Sequence, residues 1–161
     1  EDWTVIPKYD RFFSDKMYGS ILYLATQERF KGLKLRQIAG PAIGYQFWEG
    51  KPTSLTSELG LVFVDEDYTS AQDNNFYGPA WQVKFEQDLF KGRVQFYHNN
   101  YFIMDGENAS KLLWRSWTGF RVPINHGIIG SLEYEIDHDS QPVLRSLKND
   151  NTLRLKFGYE W

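Results

Sequence analysis

The chain of 161 residues has no cysteine, no excess of basic residues and no long apolar run. The absence of cysteine excludes a disulfide framework and a thiolate zinc site. The formal net charge is −3, which gives no electrostatic argument for binding nucleic acid. No apolar run approaches the roughly 18 residues that a membrane-spanning helix requires. The composition therefore disfavours both a helical membrane protein and a nucleic-acid-binding protein.

Aromatic residues, in contrast, are abundant at 17% of the chain, although the mean hydropathy is negative at −0.53. The apolar residues must therefore be dispersed among polar ones. The dispersion is most regular in Leu153–Trp161, where apolar and polar residues alternate without exception up to the terminal Trp161. Such alternation predicts a β-strand with one apolar and one polar face. A final strand that ends on an aromatic residue is typical of outer-membrane β-barrels.

Nine segments share this alternation, and none of them has a helical period. We predict strands over Trp3–Phe13, Met17–Ala25, Leu35–Phe47, Leu55–Phe63, Trp81–Leu89, a segment that begins at Val94, Leu112–Ile124, Ser131–Asp137 and Leu153–Trp161. A strand that crosses a bilayer in a barrel needs only about 9–11 residues, with every second one apolar. The sequence therefore predicts an all-β fold, in which residues 1–161 belong to one antiparallel, up-and-down transmembrane β-barrel domain.

The connections between these segments alternate in length. Short turns rich in Gly, Pro, Asn or Asp are predicted at 14–16, 49–53, 90–92 and 125–127. Longer links are predicted at 26–34, 65–77, 101–111 and 138–152. Outer-membrane barrels alternate short periplasmic turns with long extracellular loops in this way. With Trp161 at the periplasmic end, every short link falls on the periplasmic side and every long link falls outside.

The odd number of strands conflicts with a closed barrel, because bacterial single-chain barrels have an even number. An open edge in lipid leaves backbone groups unsatisfied, at a cost of several kcal/mol each. We therefore expect further strands, from an N-terminal segment or from a separate chain, to complete the wall; the alternative is that one of the nine predicted strands is wrong. Pro7 and Pro41 each remove a backbone donor from a predicted strand, and we expect a β-bulge at both positions.

The polar faces of these strands are rich in charge, and we expect them to line the interior. The predicted interior network comprises Lys84, Glu86, Asp88, Arg93, Arg115, Arg121, Glu133, Glu135, Asp137, Arg154 and Lys156. Cross-strand neighbours on one face lie about 4.5–5.5 Å apart at Cβ, so the acidic row 133–137 is expected beside basic residues on both sides. Two interpretations are open: a charged pore wall that selects permeants, or a salt-bridged plug that fills a narrow barrel.

Aromatic residues near one end of the apolar faces predict contact with outer-membrane lipids. Five of them fall near the periplasmic ends of their strands: Tyr45, Phe47, Phe120, Tyr159 and Trp161. Outer-membrane barrels carry girdles of aromatic residues at this level. We therefore expect these five side chains to face lipid at the membrane interface.

Five parts of the sequence, taken in order, also carry a family resemblance. They are Lys8–Lys16, Gly40–Phe47, Val64–Tyr68, Leu132–Asp137 with Gln141-Pro142, and Asp150–Trp161. Together they resemble the YdiY-like family of salt-stress-induced outer membrane proteins over essentially the whole chain. The resemblance implies a bacterial outer-membrane β-barrel of undefined biochemical function, with about twelve strands in total.

The resemblance further implies a partner during biogenesis, the barrel-assembly machinery. The terminal signal of such barrels resembles polar-x-Gly-x-x-aromatic-x-aromatic. Arg154, Tyr159 and Trp161 fit its outer positions, whereas Lys156 occupies the usual glycine position and Gly158 comes two residues later. Recognition of this chain by the assembly machinery is therefore an expectation that rests on a partial match.

Two other functions remain open at this point. Alternation alone does not say which face is enclosed, so a soluble lipocalin-like barrel that binds an apolar ligand is the main alternative. A barrel phospholipase or acyltransferase is the second, because His98 is expected to face outward and Ser116 lies on the following strand. Nucleophilic catalysis needs its groups within hydrogen-bond reach, which the spacing does not indicate. We therefore expect neither an enzyme nor a cofactor.

A cluster of carboxylates raises the question of a metal site. Asp65, Glu66, Asp67 and Asp73 fall in one predicted loop, and carboxylates at this density suit calcium. Their spacing matches no EF-hand loop. The sequence favours a solvated acidic loop, and we predict no metal site.

Overall fold

A computed structural model describes residues 3–28, 32–69, 72–125, 127–142 and 147–159. It confirms the all-β fold class. The strands are β1 (Trp3–Val5), β2 (Lys8–Phe12), β3 (Met17–Glu28), β4 (Leu33–Trp48), β5 (Thr53–Tyr68), β6 (Asn74–Leu89), β7 (Val94–Met104), β8 (Leu112–Asn125), β9 (Ile128–Asp139) and β10 (Asn149–Tyr159). A tight turn at Phe90–Gly92 joins β6 to β7.

All ten strands belong to one antiparallel sheet, in which each strand from β3 to β10 pairs with the next or the preceding strand of the chain. Both β1 and β2 pair with β3, so together they form the first of nine successive strands, as predicted. The sheet curls into a half-barrel. Within the described residues, its two edges, formed by β1–β2 and by β10, each pair with one neighbour only.

The two predicted bulges at proline are wrong, because the register continues through both sites. Val5 pairs with Ala25 and Lys8 with Leu22, so Ile6 and Pro7 interrupt the ladder without adding a residue. Pro7 lacks an N–H, but its carbonyl still accepts a hydrogen bond of 3.1 Å from the Tyr23 N–H. An edge strand tolerates this loss of one donor.

Pro41 likewise lies in continuous register. It is opposite Ile21 on β3, and pairing with β5 passes from Ala39–Phe63 to Ala42–Gly60 without a shift. Register shifts occur instead at other points on these strands, between Leu33 and Leu35 and between Gln46 and Trp48.

The predicted long links are much shorter than expected, because the strands extend into them. The connections that remain are 29–32, 69–73, 105–111 and 140–148, and the turns at the other end are 13–16, 49–52, 90–93 and 126–127. The first two of the predicted long links are therefore about as short as the turns at the opposite end. In the last part of β5, Asp65 and Asp67 face outward, where apolar residues were expected, so this part of the strand was predicted to be a loop. Val62 and Val64 are buried on the other face.

The two faces of the sheet differ in chemistry. The concave side encloses an apolar cluster from β4 to β8, made of Ile38, Val62, Val64, Phe76, Ala80, Ile103 and Leu113. The convex side exposes large apolar side chains on almost every strand, including Ile21, Ile43, Leu59, Leu61, Trp81, Leu132, Leu155 and Phe157. Within the described residues there is no helix that is long and apolar enough to cross a membrane.

Candidate functional site

The charged side chains predicted for the interior lie on the concave side of the strands that carry them. In β8, β9 and β10 they form three facing rows, because Arg115 is opposite Asp137, Gly119 is opposite Glu133, and Arg154 is opposite Glu133 on the far side. The concave face of these three strands is therefore a surface of alternating acidic and basic rows.

Arg115 is the centre of this surface. Its guanidinium lies 2.8 Å from Asp137, 3.2 Å from Glu28 and 3.7 Å from Glu135. Glu28 belongs to β3, on the opposite arm of the half-barrel, so this contact crosses the concave space. Glu135 also accepts from Arg154 at 2.9 Å. Each of these carboxylates thus has a cationic partner.

The charges at the end of the half-barrel near the short turns are more loosely paired. Arg121 donates to Gln95 at 2.6 Å and lies 4.0 Å from Glu86. Asp88 accepts from Gln95 at 3.2 Å and lies 3.7 Å from Lys51. Such exposed pairs contribute little to stability.

Two residues complete the placement of the predicted network. Lys84 lies on β6 opposite Asn99 and makes no close ion pair among the described residues. Arg93 is an exposed residue of the turn before β7, so its predicted place on an inward strand face is wrong. The alternation that suggested this place begins one residue later, at Val94.

Glu58 is the first of two buried carboxylates that are held in the same way. Tyr18, Gly44 and Glu58 lie opposite one another on β3, β4 and β5. The Tyr18 ring covers Gly44, where an added Cβ would lie 2.2 Å from the ring, and its hydroxyl donates to Glu58 at 2.7 Å. Lys8 donates to the same carboxylate oxygen at 2.6 Å. The buried carboxylate of Glu58 thus accepts one hydrogen bond from a neutral hydroxyl and one from a lysine ammonium group.

Glu133 repeats this arrangement on the other arm of the half-barrel. Tyr97, Gly119 and Glu133 lie opposite one another on β7, β8 and β9. The Tyr97 hydroxyl crosses Gly119 and donates to Glu133 at 2.9 Å, and Lys156 donates to the other carboxylate oxygen. A cation also covers each tyrosine ring, Lys8 over Tyr18 and Arg121 over Tyr97. Cation–π contacts of this kind add to the ion pairs.

A third buried carboxylate, Glu66, closes the end of the interior near 105–111. It has no exposed surface and accepts from Arg36 at 2.6 Å, from Lys111 at 2.7 Å and from Asn74 at 3.2 Å. Lys111 also lies over the ring of Phe76, at 4.9 Å from its centroid. The segment that ends at Lys111 is thus fastened to the interior by a buried ion pair.

The predicted acidic loop is therefore wrong, because Asp65, Glu66 and Asp67 belong to β5 and Glu66 points inward. Only Asp73 lies outside a strand, and it accepts from the Tyr68 N–H at 3.0 Å. No group of three or more His, Asp or Glu residues arranged to hold a metal ion occurs in the described residues.

Sequence reasoning missed Glu58, Glu66 and their partners. The signal that would have found Glu66 is the continued period of two through Val62, Val64, Glu66 and Tyr68, all of which are buried. Tyr18 and Tyr97 lack such a signal, because the pairing of each with a glycine depends on strand register.

A cavity of about 770 Å³ lies between the two arms of the half-barrel. Its walls come from β1, the end of β3, the concave face of β8–β10 and Leu147. Both unpaired edges of the sheet border it. The interior is thus divided into a filled part under β4–β8 and an open part beside β8–β10.

The convex side carries the predicted aromatic residues. Tyr45, Phe47, Phe120 and Tyr159 are all exposed there, and Trp161 lies outside the described residues. A second aromatic row, which was not predicted, runs across β6, β7 and β8, where Trp81 stacks on Phe102 and Phe102 stacks on Trp114. The convex face therefore has aromatic residues at two levels.

His98 faces outward, as expected, and it does have a hydroxyl neighbour, Thr118. Trp114 Nε1–H donates to Asn100 Oδ1 at 3.1 Å. An indole nitrogen only donates, so the Asn100 amide must direct its NH₂ group to His98 Nε2, which accepts. The proton of the neutral imidazole is then on Nδ1, which donates to Thr118 Oγ1 at 2.7 Å.

This direction is the reverse of the one that nucleophilic catalysis requires. A general base must present an unprotonated nitrogen to the hydroxyl that it activates. In the chain Trp114–Asn100–His98–Thr118, the imidazole offers the hydroxyl a proton instead. Ser116, the predicted nucleophile, is buried and pairs in register with Asn100, not with His98. The arrangement favours a structural role for His98.

Comparison with known proteins gives a match to a protein family. The model of a family described as "Protein of unknown function, DUF481" matches residues 1–161. No curated protein and no solved structure matches the chain. The resemblance to YdiY-like proteins stays a prediction, because a match to a family of unknown function does not confirm it.

Proposed function

The chain belongs to the DUF481 family, and we propose that it is an integral outer-membrane β-barrel with a charged interior, which serves as a structural component of the bacterial envelope or as a narrow channel. It is not an enzyme and uses no cofactor. Its surroundings are outer-membrane lipids, and its stress response is an implication of the family resemblance.

The observation that carries this proposal is the contrast between the faces of single strands. On β5, Leu59 and Leu61 are 64% and 67% exposed on the convex side, whereas Glu58 and Glu66 on the concave side are 6% and 0% exposed. Soluble monomers rarely expose contiguous apolar patches larger than a few hundred Å². A bilayer covers such a face, and the curl of the sheet encloses the charges.

The same contrast separates this proposal from the lipocalin-like alternative. A soluble barrel of that type has an apolar interior and a polar exterior. Here the exterior is apolar, and the space that remains open is lined by ion pairs around Arg115. The membrane reading is therefore favoured over the binding of an apolar ligand.

The unpaired edges support further strands as part of the complete wall. The backbone groups at the outer side of β1–β2 and of β10 have no ladder partner among the described residues. In lipid, such an edge must be paired. We propose that strands from an N-terminal segment or another chain pair there, and that the barrel-assembly machinery inserts the whole barrel.

The test is folding of the protein in detergent and in lipid vesicles. We expect a detergent requirement and a heat-modifiable band on gels, as folded β-barrels show. Leu59→Arg puts a charge on the convex face and is expected to lower stability in vesicles by about 2–4 kcal/mol if it lies near the midplane. Ser54→Arg is the matched control, since it puts the same charge on the concave face of the same strand.

Two results would count against the proposal. One is a protein that stays monomeric and soluble without detergent. The other is an equal effect of Leu59→Arg and Ser54→Arg, because only a lipid-covered convex face distinguishes the two positions.

Planar-bilayer conductance separates a channel from a structural barrel. The apolar cluster fills the interior under β4–β8, whereas the cavity beside β8–β10 is open to water and solutes. A defined single-channel step that changes with Arg115→Ala supports a channel along this cavity. Silence over a range of salts and voltages supports the structural role.

A further inference from the structure

We infer that the end of the sheet formed by the short turns binds the headgroups of anionic phospholipids. This inference rests on the proposed function, because it takes the convex face as the one covered by lipid. It adds which lipids the protein prefers and which residues select them. The binding surface comprises the turns 13–16, 49–52 and 90–93, which lie at the same end of the antiparallel sheet and are called here the short-turn end.

At each of these turns, an exposed aromatic ring stands close in the chain to an exposed cation. The sets are Phe13 with Lys16, Trp48 with Lys51, and Phe90 with Lys91 and Arg93. Aromatic side chains favour the level of the lipid headgroups, where membrane meets water. Cations at the same level are attracted by anionic headgroups. The repeated combination of ring and cation therefore fits a surface of anionic phospholipids.

The cations of the short-turn end lack the partners that cations have on the concave side. Arg115 contacts Asp137 at 2.8 Å, as part of the ion-pair network there. Lys16, Lys91 and Arg93 are exposed instead, and they make no ion pair among the described residues. Their charges are therefore available to phosphate groups from outside the protein.

The turn 90–93 has the greatest excess of positive charge. It carries Lys91 and Arg93 and no carboxylate, whereas each of the other two turns carries one carboxylate. The nearest carboxylate along the chain is that of Asp88. Its side chain is only 11% exposed, on the concave side, where it lies 3.7 Å from Lys51. We therefore expect the turn 90–93 to contribute most to the selection of anionic lipids.

Phe90 favours a lipid over a hydrophilic anion as the partner of this turn. Its side chain is 75% exposed, and its backbone is left-handed with a φ of 51°, which is rare for a bulky residue. The turn 49–52 uses a glycine, Gly50, in this region. Free phosphate or an anionic polysaccharide would leave the Phe90 ring in water. A phospholipid removes the ring from water and presents its phosphate to the adjacent Lys91.

Native mass spectrometry of the full chain, folded in detergent micelles, tests the inference. Phosphatidylglycerol and phosphatidylcholine are added at equal concentrations, and each bound lipid is identified by its mass. We expect phosphatidylglycerol to bind about fivefold or more tightly than phosphatidylcholine. We expect this preference to decrease at high salt, because exposed charges are screened. Inorganic phosphate, which has no acyl chains, should bind far more weakly than phosphatidylglycerol.

The double variant Lys91→Gln with Arg93→Gln removes both cations of the turn and should abolish most of the preference. The matched control is Lys34→Gln with Lys148→Gln, which removes two exposed lysines at the opposite end of the sheet. It should keep the preference of the parent protein. Phe90→Asn places a residue that tolerates the left-handed region in the turn, and it should weaken the binding of both lipids.

Three results would overturn the inference: equal binding of the two lipids by the folded parent protein, an equal loss of preference in the two double variants, or binding of inorganic phosphate as tight as that of phosphatidylglycerol. Heat-modifiable migration reports whether each variant is folded. A folded protein that inserts into vesicles but shows no preference contradicts this inference alone. A protein that stays soluble and monomeric without detergent contradicts both this inference and the proposed function.

Discussion

Tyr97 donates a hydrogen bond of 2.9 Å to Glu133 across the strand that lies between them. The crossing is feasible because that strand carries Gly119 at the register position beneath the ring. Aromatic side chains that cover a strand glycine pin register and allow a sheet to curve. Tyr18 and Glu58 form the same contact on the other arm, so each arm of the half-barrel has one tyrosine–glutamate hydrogen bond across a strand glycine.

Gly119→Ala tests this fastening. An added Cβ would lie 2.5 Å from the Tyr97 hydroxyl and 2.6 Å from the Leu132 carbonyl oxygen, so both the ring and β9 must shift. Overpacking of this kind costs about 1–3 kcal/mol. We expect a lower denaturant midpoint in urea titrations of the detergent-folded protein.

Gly158→Ala is the matched control for that substitution. Gly158 also lies in a strand, but an added Cβ would meet no atom within 4 Å. We expect its unfolding midpoint to stay at the parent value. If both variants lose the same stability, the loss comes from the strand conformation and not from the tyrosine.

Tyr→Phe substitutions compare the stability contributed by tyrosine hydroxyls that have a hydrogen-bond partner with that of a hydroxyl that has none among the described residues. Tyr18→Phe and Tyr97→Phe each delete a hydrogen bond to a buried carboxylate, which typically contributes about 1.5–3 kcal/mol. Tyr101 offers a contrast, since its buried hydroxyl has no partner among the described residues. Tyr101→Phe should be neutral or stabilising by chemical denaturation. A loss at Tyr101 equal to that at Tyr97 would argue against this assignment.

Lys111→Met should be far more costly than Lys34→Met. Lys111 contacts Glu66 at 2.7 Å, and the side chains are 9% and 0% exposed, so the substitution leaves a buried charge with one cation fewer. Breaking a buried pair costs about 3–5 kcal/mol. Lys34 contacts Asp67 at 3.3 Å with both side chains about half exposed, and such pairs contribute about 0–1 kcal/mol.

Thermal unfolding monitored by gel shift compares these two lysine variants directly. Arg36 still contacts Glu66 after Lys111→Met, so the variant is expected to fold and to melt at a lower temperature. Similar melting temperatures for Lys111→Met and Lys34→Met would show that Glu66 is more hydrated than its contacts indicate.

The tautomer of His98 is a prediction for nitrogen-15 NMR. We expect the neutral Nδ1–H form, with Nε2 as acceptor, because Trp114 fixes the orientation of the Asn100 amide. Asn100→Asp replaces the NH₂ donor by an acceptor and should move the proton to Nε2 or charge the ring. An Nε2–H signal in the parent protein would instead leave Nδ1 free to act as a base towards Thr118 and would revive the enzymatic alternative.

Much of this fold is readable from period-two alternation. Trp81–Leu89 and Leu153–Tyr159 alternate with a single break, at Gln87, because one face is otherwise apolar and the other is mostly charged, and both segments are strands. The final residues of the second segment, including Trp161, lie outside the described residues. Alternation fails at the rims, where β5 continues past Phe63 with acidic residues on its outward face. The apolar signal therefore ends before the strand does.

The sequence predicts which charged residues share a face of the sheet, but it does not predict which of them form contacts. Glu133, Glu135 and Arg154 fall on one face by parity alone. The partners of Glu66 were not predictable, because Arg36, Lys111 and Asn74 come from separate parts of the chain. The proline positions show the same limit. The sequence reveals a missing donor at Pro7, but only the register reveals that the ladder skips it.

The paired tyrosines also bear on how such a wall could be assembled. Each tyrosine lies on the concave side, crosses a glycine on the next strand and bonds to a glutamate on the strand after it. The sequence of these three strands therefore favours a bent sheet. In a sheet bent in this way, the edges formed by β1–β2 and by β10 face each other before any further strand pairs with them. If the proposed further strands pair at these edges, the bend of the sheet sets the width of the opening between β1 and β10 and so limits how many strands can be added.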